Sequence, residues 1–107
     1  MGAKQRVKQH DIRETDSKTR LVESTLSARF PSAESYRSPF GTVRVRIIDE
    51  RFQNRNRVQR EKMVLPLIRG LPEEVQAEIV ALLLLALGEE DGSIMNIEFD
   101  RPTRLVD

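Results

Sequence analysis

Residues 42–64 constrain the fold most, because they predict a strand, a basic loop and a helix in direct succession. Valine or isoleucine alternates with arginine at the start of this segment, VRVRII, and a period of two residues indicates a strand with one buried face. The loop over residues 50–57 is polar apart from Phe52, and Asn54 or Asn56 can cap the helix that follows. A charged loop between two rigid elements is a typical place for a binding site.

The rest of the chain predicts an α+β domain. The run 79–87, IVALLLLAL, is apolar on every side of a helix and suggests a long third helix, while Met95, Ile97 and Phe99 alternate as in a strand. A proline at position 66 should kink or end the second helix. The predicted elements are a helix over 17–30, strands over 33–38 and 42–49, helices over 57–70 and 72–87, and a strand over 93–99. Their order is α-β-β-α-α-β.

A length of 107 residues fits one domain. Residues 1–16 carry few apolar side chains and predict a mobile N-terminal tail, residues 17–101 form the domain, and residues 102–107 are a C-terminal tail. The net charge is +1, but residues 1–60 carry +7 and residues 61–107 carry −6. A separation of charge of this kind can orient a charged partner.

Composition excludes several classes of protein. The chain has no cysteine, so it offers no disulfide, thiol nucleophile or thiolate metal ligand, and its one histidine, His10, lies in the predicted tail. We predict neither a resident cofactor nor a metal site. No residue set suggests an enzyme. The N-terminus lacks a signal-peptide pattern and the run 79–87 is too short to span a bilayer, so we expect a cytoplasmic protein.

The segment 42–64 resembles the central motif of BolA-like proteins, a family with a class II KH-like fold. That motif is an apolar strand ending in Ser or Asp, a Phe, a Gly two residues later, and an Arg-His pair eight and nine residues after the Phe. The chain matches or replaces these positions with Ile47, Ile48, Asp49, Phe52, Asn54 (at the glycine), Arg60 and Glu61 (at the histidine), and Val58 and Val64 fall at apolar positions.

The resemblance implies a three-stranded mixed sheet packed against helices, with the first two strands antiparallel and the third beside the second. In the family the histidine helps to hold an iron–sulfur cluster shared with a monothiol glutaredoxin. Glu61 stands at that position here, and a carboxylate is a harder ligand than imidazole.

Three functional hypotheses follow. The first is a non-catalytic BolA-like interaction or regulatory module that binds a protein partner. The second is a nucleic-acid-binding module, although the chain has no GxxG loop. The third is a glutaredoxin partner in iron–sulfur handling, weakened by Glu61. The arginine cluster for the second hypothesis is Arg44, Arg46, Arg51, Arg55, Arg57 and Arg60.

The candidate binding residues for a protein or a nucleic acid are Arg51, Arg55, Arg57, Arg60 and Glu61. The apolar run 79–87 serves either as core or as an interface. In the second case the predicted helix 72–87 would join two copies in a homodimer.

Overall fold

The computed structural model describes residues 14–100, which form one α+β domain with a three-stranded mixed sheet. The predicted fold class and the order α-β-β-α-α-β are confirmed, and one more helix follows the last strand. Residues 1–13 and 101–107, which include His10 and most of both predicted tails, lie outside the described residues. The elements are α1 (Ser17–Ser27), β1 (Glu34–Arg37), β2 (Val43–Ile48), α2 (Arg57–Ile68), α3 (Glu73–Glu78), β3 (Ile79–Leu85) and α4 (Ile94–Asp100), with 3-10 turns at Glu50–Phe52 and Glu90–Gly92.

A reciprocal capping box begins α1. Asp16 Oδ1 accepts from the Thr19 amide at 3.0 Å, and the Asp16 amide donates to Thr19 Oγ1 at 2.8 Å. These contacts satisfy amides that the first turn of a helix leaves without a partner. Glu14 also bridges to Arg37 of β1. Glu14 and Asp16, which fall at the end of the predicted tail 1–16, therefore contact β1 and α1.

The sheet has β2 at its centre, with β1 antiparallel on one side and β3 parallel on the other. A tight turn at Gly41, whose φ is +85°, joins β1 to β2. Val45 and Ile47 of β2 are fully buried beside α1 and α2, as their period of two predicted. This face of the sheet holds the main core.

The predicted helix 72–87 is wrong beyond Glu78. Only Glu73–Glu78 is helical, and the apolar run that follows is the strand β3. Leu82 and Leu84 face the core beneath α1 and α2, whereas Leu83 and Leu85 face the cluster on the other side of the sheet. A parallel strand covered on both faces is apolar throughout, so its sequence has no strand period.

The predicted strand 93–99 is also wrong, because Ile94–Asp100 is the helix α4. Its buried positions, Asn96 and Phe99, are three residues apart and share one helical face against the sheet. Met95 and Ile97, which suggested a strand, are 56% and 58% exposed. The alternation of Met95 and Ile97 therefore does not mark the buried face of a strand.

The early helices end close to their predicted limits. α1 stops at Ser27, three residues before the predicted end, and α2 begins at Arg57 as predicted. Asn56 caps α2 with a second capping box, in which Asn56 Oδ1 accepts from the Gln59 amide at 2.9 Å. Pro66 lies inside α2, and the helix continues for two more residues to Ile68.

No helix within residues 14–100 is long and apolar enough to cross a bilayer.

Candidate functional site

The predicted arginine cluster is divided between the two faces of the sheet. Arg44 and Arg46 lie on the face that α4 covers, opposite the core, as the strand period implied. Arg44 Nη1 contacts Glu98 at 2.7 Å, and Arg46 Nη1 contacts the Asn96 side chain at 2.7 Å. Both guanidinium groups therefore attach α4 to the sheet, away from the other four arginines.

Arg46 is the more completely engaged of the two. Its guanidinium contacts both carboxylate oxygens of Glu34, contacts Asp100 at 2.9 Å, and stacks 4.6 Å from the centre of the Phe99 ring. Tyr36 Oη also donates to the Phe99 carbonyl at 2.7 Å. A guanidinium with this many partners is a structural residue rather than a free ligand for a phosphate.

Two arginines of the basic loop are held close to the loop itself. Arg51 Nε contacts Asp49 Oδ1 at 2.9 Å, and its guanidinium lies over the Phe30 ring. The hydrogen bond from Arg51 holds the pKa of Asp49 below its usual value. Arg55 Nε donates to the Arg51 carbonyl at 3.2 Å. These contacts give the loop a fixed shape.

Asn54 stands at the motif's glycine position with a φ of +60°. This left-handed conformation suits glycine best and asparagine next among common residues. Asn54 can therefore hold this turn of the loop with less strain than most residues with a side chain.

Arg60 joins α2 to the end of β3. Its Nη1 contacts the Leu84 carbonyl at 2.9 Å, and both terminal nitrogens contact Glu89, at 2.7 and 2.9 Å. The side-chain hydrogen bond from Arg60, followed by the hydrogen bond from the Ala86 amide, lowers the pKa of Glu89 to about 2. Arg60 also lies 5.9 Å from the centre of the Phe52 ring, so two motif positions meet in space. Arg60 therefore connects α2 to the end of β3 and to the loop that follows it.

Arg57 and Glu61 face a groove between α2 and the outer edge of β3. Their side chains form an i,i+4 pair at 3.2 Å, and the Arg57 side chain is 82% exposed. Two adjoining cavities of about 180 and 410 Å³ make up the groove, which we call the β3-edge groove. Its lining includes Arg57, Arg60, Glu61, Leu65, Ile68, Arg69, Gln76, Ile79, Val80, Ala81, Leu82, Leu83, Leu84 and Met95.

Three of the five candidate residues thus line one site, whereas Arg51 and Arg55 lie outside it. Sequence reasoning missed Arg69 and Met95 as members of the groove, whereas Val80 belongs to the run 79–87 that was a candidate interface. The apolar run was the available signal, but its assignment to a helix concealed that it forms the edge of a sheet. Val80 is 60% exposed at that edge.

Within residues 14–100, no group of three or more histidine, cysteine, aspartate or glutamate side chains is placed to hold a metal ion. Glu61, at the position of the family's histidine, contacts Arg57 instead. The groove combines an apolar floor with charged side chains on α2.

The chain matches no family model, no curated protein and no solved structure.

Proposed function

We propose that this chain is a non-catalytic BolA-like interaction or regulatory module, and that it binds a protein partner in the β3-edge groove. The observation that carries the proposal is an exposed, apolar strand edge beside a groove lined by charged residues of α2. Exposed apolar surface with a charged rim is typical of protein-binding sites.

The proposal also draws on the resemblance of residues 42–64 to the family's motif, whose residues have defined positions in the fold. Phe52 is fully buried, Asn54 has a positive φ of +60°, and Arg60 lies near the Phe52 ring. Each residue therefore has a structural role that suits its place in the motif. Asn54 and Glu61 are the two signature positions at which the residue type differs from the motif.

The two alternatives draw less support from the contacts. Five of the six clustered arginines contact a carboxylate, and two of those five lie under α4. The chain contains no GxxG sequence, so it lacks the loop with which KH domains hold nucleotides. A shared iron–sulfur cluster would lack the histidine ligand of the family, because Glu61 stands at that position.

Affinity purification with two matched variants tests the proposal. Val80→Asp places a charge in the groove, while Phe40→Asp makes the same kind of change in the β1–β2 turn. The two side chains are 60% and 55% exposed, so neither change disrupts the core. We expect the partner to bind the parent and Phe40→Asp, and to be lost with Val80→Asp. Binding of the purified partner is then measured by calorimetry.

Equal retention of every bound protein by Val80→Asp would contradict the proposal. So would a partner that is lost equally with Phe40→Asp, since the binding surface would then lie elsewhere. Thermal unfolding of all three proteins shows whether each remains folded.

A further inference from the structure

The outer edge of β3 presents backbone groups that are directed away from the sheet. The Leu85 carbonyl accepts from the Asp49 amide at 2.9 Å, so the backbone of Leu85 faces β2. Backbone direction alternates along a strand, and Leu84 and Leu82 therefore face outward. The contact of the Leu84 carbonyl with Arg60 agrees with this direction.

The Arg60–Glu89 pair closes one end of this edge. Arg60 contacts the Leu84 carbonyl, and Glu89 Oε1 accepts from the Ala86 amide at 2.9 Å. Between residues 14 and 100, no other hydrogen bond runs from the outer side of β3. The amide and carbonyl of Leu82 and the amide of Leu84 thus remain directed into the groove. They can pair with an added strand.

Arginines mark both ends of the groove. α2 runs opposite to β3, because Arg60 lies beside Leu84 while Arg69 and Val80 line the same cavity. Arg57 and Arg69 are twelve residues apart, a span of about 18 Å along a helix. Five extended residues span about 17 Å. A short strand lying along β3 would therefore have an arginine near each end.

The charges favour an acidic segment. Arg69 makes no ion pair within residues 14–100, and the exposed pair of Arg57 with Glu61 is of a kind that contributes little stability. Carboxylates at the two ends of an added strand would meet both guanidinium groups. Alternate side chains of that strand would face Leu65 on one side and Met95 on the other.

The same charges oppose a second copy in the groove. Two copies joined through β3 by a twofold axis pair their strands antiparallel. The Arg57 end of one copy would then lie beside the Arg69 end of the other, so like charges would meet twice.

We propose that the β3-edge groove binds an extended segment of a partner protein by β-strand addition, with apolar side chains along the segment and carboxylates at both ends. This inference rests on the proposed protein-binding function, and it specifies the chemistry of the partner.

A random heptapeptide library displayed on phage and selected on the intact chain tests the inference. We expect the selected peptides to contain alternating apolar residues with aspartate or glutamate near both ends. Fluorescence anisotropy of the tightest peptide then measures binding. Methylation of alternate peptide nitrogens that would face β3 should weaken binding about two- to tenfold each, and methylation of the intervening nitrogens should change it little.

Charge reversal supplies the second measurement. Arg69→Glu should weaken the acidic peptide roughly two- to fivefold, and a peptide with lysine at the corresponding end should recover binding to this variant. Arg20→Glu makes the same charge change on an exposed position of α1 and should have no effect on binding.

Several results would overturn strand addition to an acidic segment. These are the absence of any enriched peptide, enrichment of peptides without acidic ends, insensitivity to every N-methyl group, or a stable dimer of the chain that Val80→Asp dissociates. Tighter binding of a single-stranded oligonucleotide that competes with the peptide would also overturn it. A natural partner that depends on Val80 but whose binding segment is insensitive to N-methylation would leave the proposed function intact and refute only the strand addition.

Discussion

Replacing Glu89 with glutamine isolates the charge of the Arg60–Glu89 pair. A glutamine oxygen can still accept from the Ala86 amide, so the change removes the carboxylate but keeps the backbone contact. Arg60 is only 13% exposed in its side chain and also contacts the Leu84 carbonyl. The variant therefore leaves a mostly buried cation without its carboxylate.

The expected loss of stability follows from the pKa of Glu89. Lowering this pKa from 4.5 to about 2 corresponds to at most about 3 kcal/mol. The Glu89 side chain is 44% exposed, and screening by solvent reduces the contribution to about 1–2 kcal/mol. We expect Glu89→Gln to lower the free energy of unfolding at pH 7 by this amount.

The pH dependence of the stability difference tests the sign of this effect separately. The pKa of Glu89 is lower in the folded chain than in the unfolded chain, so its stabilisation is complete above about pH 4.5 and is lost as the pH falls toward about 2. Urea unfolding of the parent and Glu89→Gln at pH 7 and pH 3 should therefore show a difference that shrinks at the lower pH. Other carboxylates contribute equally to both proteins and cancel.

Glu90→Gln is the matched control. Glu90 Oε1 also accepts from a backbone amide, that of Gly88 at 2.9 Å, but it forms no ion pair within residues 14–100. This variant should have nearly the stability of the parent at both pH values. Equal stability of Glu89→Gln and the parent at pH 7, or a difference that is the same at pH 3, would refute the reasoning.

Three further changes test the fold and the motif. Ile47→Ala should lower the free energy of unfolding by ~2–5 kcal/mol, because Ile47 is fully buried, and a loss below about 0.5 kcal/mol in urea unfolding would be inconsistent with its place in the core. Because the φ of Asn54 is +60°, Asn54→Ala should lower the free energy of unfolding by about 1 kcal/mol, and Asn54→Gly should leave it nearly unchanged. Equal stabilities of the two variants in urea unfolding would show that the loop relaxes. Glu61→His should not by itself create a stable cluster with a monothiol glutaredoxin, because Asn54 still replaces the family's glycine. A visible absorption band after anaerobic reconstitution of the variant with the glutaredoxin, but not of the parent with the glutaredoxin, would contradict this.

The first half of the fold could be predicted from the sequence because local signals define it. Asp16 and Asn56 cap α1 and α2 through contacts three residues away, the hairpin turns at Gly41, and the period of two in β2 marks its buried face. Each signal depends on residues close in sequence.

Charge separation along the chain did not predict charge separation in space. Basic residues of the first 60 positions pair with acidic residues beyond them, as Arg44 does with Glu98 and Arg60 with Glu89. The six arginines were close in sequence, yet their partners divide them between two faces of the sheet. Because these partners lie 29 and 54 residues away, the sequence around Arg60 and Arg44 does not indicate them.

The sequence by itself determined the α+β class, the order of the first elements and the buried face of β2. Only the tertiary structure decided that the apolar run becomes β3 at an edge of the sheet, and that the residues after it form α4. The physical reason is that the second half of β3 packs against the main core on one face and against the cluster with Phe99 on the other, and so needs apolar side chains on both. Such a run has no period, so its conformation depends on the elements that cover it.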